Sequence, residues 1–330
     1  MAGNMQSIRK KLIQAFSESN GEFLSGQALA EIAGCSRTAI WKHIEELRKE
    51  GFKLEAVRKK GYRIIDTPDS VTENKIRLGL NTKTLGQVIH YEESVPSTQK
   101  IAHDLAGSGA VEGTLVIADE QTAGRGRLMR EWHSSSGNGI WMSLIMKPHL
   151  PPQKAPQFTL ITAVAVVQAI EDVTGLQPQI KWPNDILIDG KKVTGILTEL
   201  QAESDKINSI IIGIGMNVNH SIDHFPDEIR QIATSLSIEK GTRISRSKLV
   251  QTVLEKMESL YSLYMKEGFI PIKLLWESYA VSIGKRIRAR TINGTIEGTA
   301  LGITEEGVLK IEDGEGTIHR IYSADIEVNI

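Results

Sequence analysis

Three kinds of apolar spacing follow one another along this chain, and each predicts a different type of element. Near the N-terminus Ile8, Leu12, Ala15 and Phe16 recur at helical spacing. The same period returns in Ala28, Leu29, Ile32 and Ala33, and again in Ile40, Ile44 and Leu47. Gly34 separates the last two segments, Ser36 can cap the second of them, and Gly51 ends it as a C′ glycine. Two short helices joined at a glycine predict a helix-turn-helix. The stretch "FKLEAVRKKGYRII" then alternates in two short runs around Arg58, Lys59, Lys60 and Gly61. It predicts a hairpin with a basic tip, a wing. Residues 67–80, "TPDSVTENKIRLGL", open with Pro68 and polar residues and read as a linker.

Beyond the linker, strand-like and helix-like segments alternate, as expected of a mixed α/β domain. "TLVIADEQ" leads into Gln121, and "GIWMSLIM" sets Ile140, Met142, Leu144 and Met146 on one face of a strand. The stretch between them, "TAGRGRLMREWHSSSGN", is therefore a loop anchored in a sheet at both ends, where binding chemistry usually sits. "FTLITAVAVVQAI" is broken by Thr162 and Gln168 and reads as a buried helix, not a membrane span. In "IKWPNDILIDGKKVTGILTEL", Asp189-Gly190 predicts a two-residue hairpin that puts Lys192 at the start of a strand, with Lys181 and Asn184 before the turn. "SIIIGIGMNVNH" is a buried strand interrupted by Gly213 and Gly215, which signals a bulge or a close approach. Leu249, Val253, Met257, Leu260 and Tyr264 form one face of a long helix ending at Gly268. From Val281 onward come short strands, with a turn at Asn293-Gly294 and further glycines at 307, 314 and 316. The expected division is thus 1–66, a linker over 67–80, a body over 81–280 and a β-rich end over 281–330, an α+β multidomain chain.

Charge adds a partner. The whole chain nets −1, but residues 1–66 carry 12 Lys and Arg against 8 Asp and Glu, which leaves the remainder at −5. A basic segment joined to an acidic body suggests that the first part meets a polyanion. Ser36, Arg37, Thr38, Trp41, Lys42 and His43 lie at the start of the second helix, where this motif reaches base edges in the major groove. Arg58, Lys59 and Lys60 on the wing are placed to touch phosphates. The expected partner is DNA. Cys35 is the only cysteine, so no internal disulfide can form, and the N-terminus lacks an apolar core of signal-peptide length. A cytoplasmic setting is expected.

The loop after Gln121 sets Arg125 and Arg127 among glycines, then Trp132. Exposed backbone amides and a planar guanidinium both suit carboxylate or phosphate. No Gly-Lys-Ser/Thr closes the loop, so it is not a P-loop.

Taken in order, "STQK" from Ser97, "GRGR" from Gly124, "KWPND" from Lys181, "KVTGIL" from Lys192 and "GIGMNVN" from Gly213 resemble the biotin protein ligase family. With the helix-turn-helix in front, the chain resembles its bifunctional class, which is also the biotin operon repressor. The resemblance implies a winged helix-turn-helix, a central ligase domain of the biotin/lipoate type and an SH3-like C-terminal small β-barrel. It implies that biotin and MgATP give biotinyl-5′-AMP, which a lysine of a biotin carboxyl carrier protein then attacks. It also implies that the adenylate acts as corepressor for a homodimer on operator DNA.

Site roles follow from the same resemblance. Ser97, Thr98, Gln99 and Gln121 would contact biotin, with Gly213 and Gly215 letting a strand lie against it. Arg125, Gly126 and Arg127 would close over the carboxylate and the phosphates. Lys192 would stabilise the adenylation transition state, so Arg127 and Lys192 are the catalytic candidates. Trp132, Lys181, Asn184 and Asn217 would form the ATP side, with Asp185 nearby. No carboxylate cluster dictates a metal site. Two departures stand out: many members read Ser-Thr-Asn where this chain has Gln99, and others carry more basic residues where it has Leu128, Met129 and Arg130. The competing readings are a lipoate-type acyl ligase and a ligand-sensing repressor without activity. The Lys-Trp-Pro-Asn-Asp set and the intact Arg125, Arg127 and Lys192 argue against them.

Overall fold

In a computed structural model, which describes residues 2–19, 21–66, 69–203 and 206–328, the chain forms two compact units, Met1–Asn81 and Thr82–Ile330. The first holds helices α1 (Ala2–Glu18), α2 (Gly26–Ala33) and α3 (Arg37–Lys49), strands β1 (Lys53–Val57) and β2 (Gly61–Asp66), and helix α4 (Glu73–Arg77). Leu12, Ile13, Phe16, Leu29, Ile40, Ile44, Leu47 and Phe52 make its core. The Ser36 hydroxyl accepts the Ala39 N–H at 3.2 Å, capping α3. The β1–β2 pair is antiparallel with Val57 opposite Gly61, so Arg58–Lys60 form the tip. Leu24 pairs with Tyr62 as a third line of backbone bonds. That contact explains Gly61: a Cβ there would lie 2.0 Å from the Leu24 carbonyl oxygen.

Two expectations change in this unit. The buried stripe of α2 is Leu29, Ala30 and Ala33, and Ile32 is 47% exposed. The reason is that α2 contacts both α1 and α3, which draws the stripe toward Ala30. The stretch read as a linker contains α4, packed against α1, with Val71 and Ile76 fully buried. Asn74 Nδ2 donates to Glu50 at 2.9 Å. Apolar positions spaced five apart in a polar segment gave no periodic signal, yet they suffice to dock one turn. Pro68, which opens that stretch, lies outside the described residues.

The second unit is built on β3 (Ile89–Val95), α5 (Thr98–Gly107), β4 (Leu115–Gln121), β5 (Gly139–Met146), α6 (Ala155–Thr174), β6 (Gln179–Lys181), β7 (Asp185–Ile188), β8 (Lys191–Ala202) and β9 (Ile207–Asn217). Its strands form one sheet in the order β3-β4-β5-β9-β8-β7-β6. Only β3 and β4 run parallel, because α5 connects them; the rest are antiparallel. Asp189 and Gly190 both take positive φ (48° and 77°), the tight turn that fixes the β7–β8 hairpin. Ala102 and Ala106 of α5 pack on Val116, Ile145 and Ile211, which defines one face of the sheet.

Helices α6, α7 (Leu236–Lys240), α8 (Arg246–Glu267) and α9 (Ile270–Tyr279) complete the body. α6 packs on α8, α9 and β8. Its segment is long and apolar enough to cross a membrane, but 72% of that window is buried inside the protein. Leu249, Val253, Met257, Leu260 and Tyr264 of α8 are all buried, as their spacing predicted. The chain ends in β10 (Arg286–Thr291), β11 (Gly294–Ile303), β12 (Leu309–Glu312), β13 (Ile318–Ile321) and β14 (Asp325–Val328), an antiparallel sheet ordered β13-β12-β11-β10-β14. This is the strand order of an SH3-like small β-barrel.

Candidate functional site

A cavity of about 810 Å³ opens at the N-terminus of α5. The alternation of a strand puts Gly213 and Gly215 on the same face as Ile211, the face that α5 covers. Ser97, Thr98, Gln99, Gln121, Arg125, Gly126, Arg127, Trp132, Lys181, Asn184, Lys192, Gly213, Gly215 and Asn217 all line it. Residues from five motifs spread over more than a hundred positions thus converge on one space.

At the α5 end the polar groups are already ordered. Gln121 Oε1 accepts the Thr98 N–H at 2.9 Å, taking up one of the free amides of the helix N-terminus. Gln121 Nε2 donates to Ser134 Oγ at 3.0 Å. Thr98 Oγ1 lies 2.9 Å from Ser143 Oγ, which donates to Gln99 Oε1 at 2.9 Å. Gln99 Nε2 donates to the Ile211 carbonyl at 3.1 Å. Gln99 is buried and spans β5 to β9, so its side chain helps build this wall. Ser143, absent from the sequence reading, sits at the centre of the chain of bonds.

The floor is a trough without side chains. Gly195 on β8 stands opposite Gly215 on β9, and the Trp132 indole lies over both. A Cβ on Gly215 would fall 2.4 Å from Trp132 Nε1, and one on Gly195 would fall 2.9 Å from Trp132 Cζ3. A Cβ on Gly213 would meet Gln99 Oε1 at 2.7 Å. The glycines of β9 are therefore required by protein side chains as well as by the cavity. Trp132 Nε1 is buried with no hydrogen-bond partner among the described residues. Lys192 Nζ sits 5.2 Å from the centre of the Trp132 ring and 2.6 Å from Asp185 Oδ1. Asp185, expected only to lie near the ATP side, is the ion-pair partner of Lys192. No group of three or more His, Cys, Asp or Glu able to hold a metal occurs among the described residues.

The Arg-Gly loop arches over this floor. Arg127 donates to Asn184 Oδ1 at 3.0 Å and to Ser323 Oγ at 2.8 Å. Burial lowers the pKa of its guanidinium, while Asp185 and Asp325 oppose that shift. Asn184 also donates to the Ile196 carbonyl at 2.9 Å, which fixes its orientation. Arg130 makes a two-pronged ion pair with Asp325. Its hydrogen bond and charge, against a smaller opposing effect of burial, hold the Asp325 carboxyl below its ordinary range. Between the two arginines, Leu128 and Met129 take φ of 54° and 59°. Bulky residues in that left-handed region carry roughly 1–3 kcal/mol of strain each. Both are exposed, at 68% and 74%. Arg125 is exposed at the rim, Lys181 is half-buried on β6, and Asn217 is buried at the end of β9.

Two further groups escaped sequence reasoning. Asp119 forms a buried ion pair with Arg246 at 2.8 Å and accepts the Ser136 hydroxyl and the Gly137 N–H. Burial alone would raise the Asp119 pKa, but the hydrogen bonds from Ser136 and Arg246 outweigh it and hold the carboxyl below its ordinary range. This ties the far end of the loop to the start of α8. His220 is 3% exposed and stacks on Phe225 with ring centres 5.3 Å apart. It meets Trp141 edge-on at 5.8 Å, and its Nε2 lies 3.2 Å from Ser135 Oγ. Burial first, then His224 and Arg246, pushes its pKa down to about 4. A lone histidine after a strand carries no motif, and the Asp119–Arg246 pair joins residues 127 apart.

In the first unit, Arg37, Thr38, Trp41 and Lys42 are exposed on α3, and Arg58, Lys59 and Lys60 are exposed on the wing. His43 is a correction. It is 6% exposed and its Nδ1 bonds Glu46 at 3.1 Å. It lies three residues after Ile40 and so faces inward with the Ile40–Ile44–Leu47 stripe. Ser36 remains exposed, with its oxygen committed to the α3 cap.

Comparison with known proteins agrees with this organisation. The model of the Biotin/lipoate A/B protein ligase family matches residues 91–217, an HTH domain model matches 8–63, and the Biotin protein ligase C terminal domain matches 282–328. The chain is 60% identical to the bifunctional ligase/repressor BirA of Bacillus spizizenii, over 98% of this chain and 99% of that one. It is 28% identical to the protein of the same name from Escherichia coli, over 89% of each. Among solved structures it resembles the biotin protein ligase from Aquifex aeolicus in complex with biotin and ATP, at 30% identity and a TM-score of 0.64, covering 74% of this chain and 99% of that one. A winged helix-turn-helix, a cavity lined by the Gly-Arg-Gly-Arg and Lys-Trp-Pro-Asn-Asp motifs and a terminal small barrel, in that order, place this chain in the bifunctional ligase/repressor class of the biotin protein ligase family.

Proposed function

We propose that the chain couples biotin to a carrier protein and represses biotin-synthesis genes. The observation that carries the first part is the convergence of the five motifs on one cavity. The biotin carboxylate attacks the α-phosphorus of ATP, pyrophosphate leaves, and biotinyl-5′-AMP results. A carrier lysine then attacks the anhydride carbonyl and AMP leaves. Mg²⁺ enters as MgATP, held mainly by the phosphates. Two anions must meet in the first step, and the residues supply cations to hold them in line. Ser97, Thr98, Gln99 and Gln121 with Gly213 and Gly215 form the biotin end. Arg125, Gly126, Arg127 and Lys192 hold the carboxylate and the phosphates. Trp132, Lys181, Asn184 and Asn217 form the nucleotide side, where a bound acceptor would satisfy Trp132 Nε1.

The adenylate is the corepressor. It favours a homodimer by its greater affinity for that state, and the dimer suits a two-fold operator. The carrier is the biotin-bearing subunit of acetyl-CoA carboxylase or another biotin-dependent carboxylase. The setting is cytoplasmic, with no membrane partner, and the domain borders fall near residue 81 and residue 280.

The test is biotin-dependent exchange of labelled pyrophosphate into ATP, with lipoate and octanoate in parallel. Exchange with biotin alone is expected. Exchange with lipoate instead would overturn the substrate while keeping the fold. Operator affinity equal with and without biotinyl-5′-AMP would remove the corepressor role.

A further inference from the structure

We propose that Asp325 and Ser323, both from the C-terminal barrel, are positioning residues for the Arg127 side chain. Together they hold segment 125–131 in a conformation its own sequence disfavours. Leu128 and Met129 occupy consecutive left-handed positions and bury little, so nothing in their side chains stabilises that shape. Within the segment the backbone closes on itself: Gly126 N–H donates to the Arg130 carbonyl and Arg130 N–H to the Arg127 carbonyl. Long-range anchors sit on both sides of the strained pair. Arg130 is paired with Asp325, and Arg127 bonds Ser323 on one prong and Asn184 on the other. The barrel thus fixes where the Arg127 guanidinium points, toward the Asn184 wall of the cavity. Neither residue needs to touch the reacting atoms. Both act through the arginines, a role that the family motifs, confined to residues 97–219, leave unassigned.

This assignment rests on the reading of Arg127 as a ligand for the nucleotide phosphates, so two readouts separate the two ideas. The first is kinetic. Asp325→Asn keeps the shape and removes the charge, and an exposed ion pair of this kind is worth about a two- to fivefold change. The expected result is a KM for MgATP raised by about that factor, with kcat and the KM for biotin little altered. Asp325→Glu restores most of the loss, and Ser323→Ala gives a smaller shift in the same direction. The decisive variant is Met129→Gly in the Asp325→Asn background. Glycine accepts a left-handed φ without strain, so the double variant recovers a KM close to that of the unaltered chain. A merely structural loss would not be rescued by a second substitution in an exposed loop.

The second readout is limited trypsin cleavage after Arg125, Arg127 and Arg130 on the full chain without ligand. Asp325→Asn accelerates it and Met129→Gly reverses the change. Cleavage and KM both unchanged in Asp325→Asn, or no rescue by Met129→Gly, would overturn the proposal. If the unaltered chain shows no biotin-dependent exchange, the functional reading falls, and cleavage still decides whether the barrel holds the loop.

Discussion

The two units are each proposed to meet an anion, but they present their cations differently. On the first, Arg37, Lys42, Arg58, Lys59 and Lys60 stand exposed along one helix and one hairpin tip. In the second, Lys192 is paired with Asp185, Arg127 with Asn184 and Ser323, and Arg130 with Asp325. A solvated cation attracts a polyanion through long-range charge and gives affinity that salt erodes. A cation already oriented by hydrogen bonds loses little freedom when its ligand arrives, so it can position a reacting group. The contrast separates binding by charge from chemistry by geometry.

The sharpest way to break this comparison is Lys192→Gln. If preorganised charge drives adenylation, pyrophosphate exchange falls about 10²–10³-fold while biotin still binds. A loss below tenfold would put Lys192 on the same footing as a surface cation. Next in size is Asp119→Asn, which removes the carboxylate facing the buried Arg246 and costs about 3 kcal/mol of stability in the second unit, read by denaturant unfolding. Unfolding of the first unit should be unaffected.

His220 supplies a pH test. Its pKa is about 4 in the folded chain against an ordinary value of 6.5. Below pH 6.5 the unfolded chain takes up a proton that the folded chain refuses until about pH 4. Stability is therefore fully present above pH 6.5 and falls with pH across that window, by on the order of 3 kcal/mol. His220→Phe keeps the stack on Phe225 and should flatten that part of the curve relative to the unaltered chain. An identical slope in the variant would contradict the burial argument. The smallest effect belongs to the wing. Lys60→Ala should weaken all DNA sequences about equally and reduce the slope of log affinity against log salt by about 0.9. A change confined to one sequence would mean base contact instead.

The sequence carried the periodic elements well. α1, α3 and α8 follow from apolar spacing, the wing from alternation around a basic tip, and the β7–β8 hairpin from Asp189-Gly190. Motif order brought together residues that do line one cavity. What it could not carry was register and distance. That Gly195 stands opposite Gly215, making room for an indole, depends on how β8 aligns with β9. The links of Arg127 to Ser323 and of Arg246 to Asp119 join positions with no local pattern. His43 was misread because a helix stripe has width, and Ile40 and Ile44 already marked its inner side. α4 was missed because one docked turn has no period to detect.

Helix α6 has a consequence for how the chain is made. Its apolar surface is covered largely by α8 and α9, which follow it in the sequence. A ribosome finishes α6 before about ninety further residues have supplied α8, and at roughly 5–20 residues per second that takes on the order of 5–20 s. For that interval the nascent chain displays a stretch long and apolar enough to pass for a membrane segment. Synthesis of this protein therefore includes a period when an outside agent, a chaperone or the early β3–β5 sheet, must shelter α6 until its covering helices arrive.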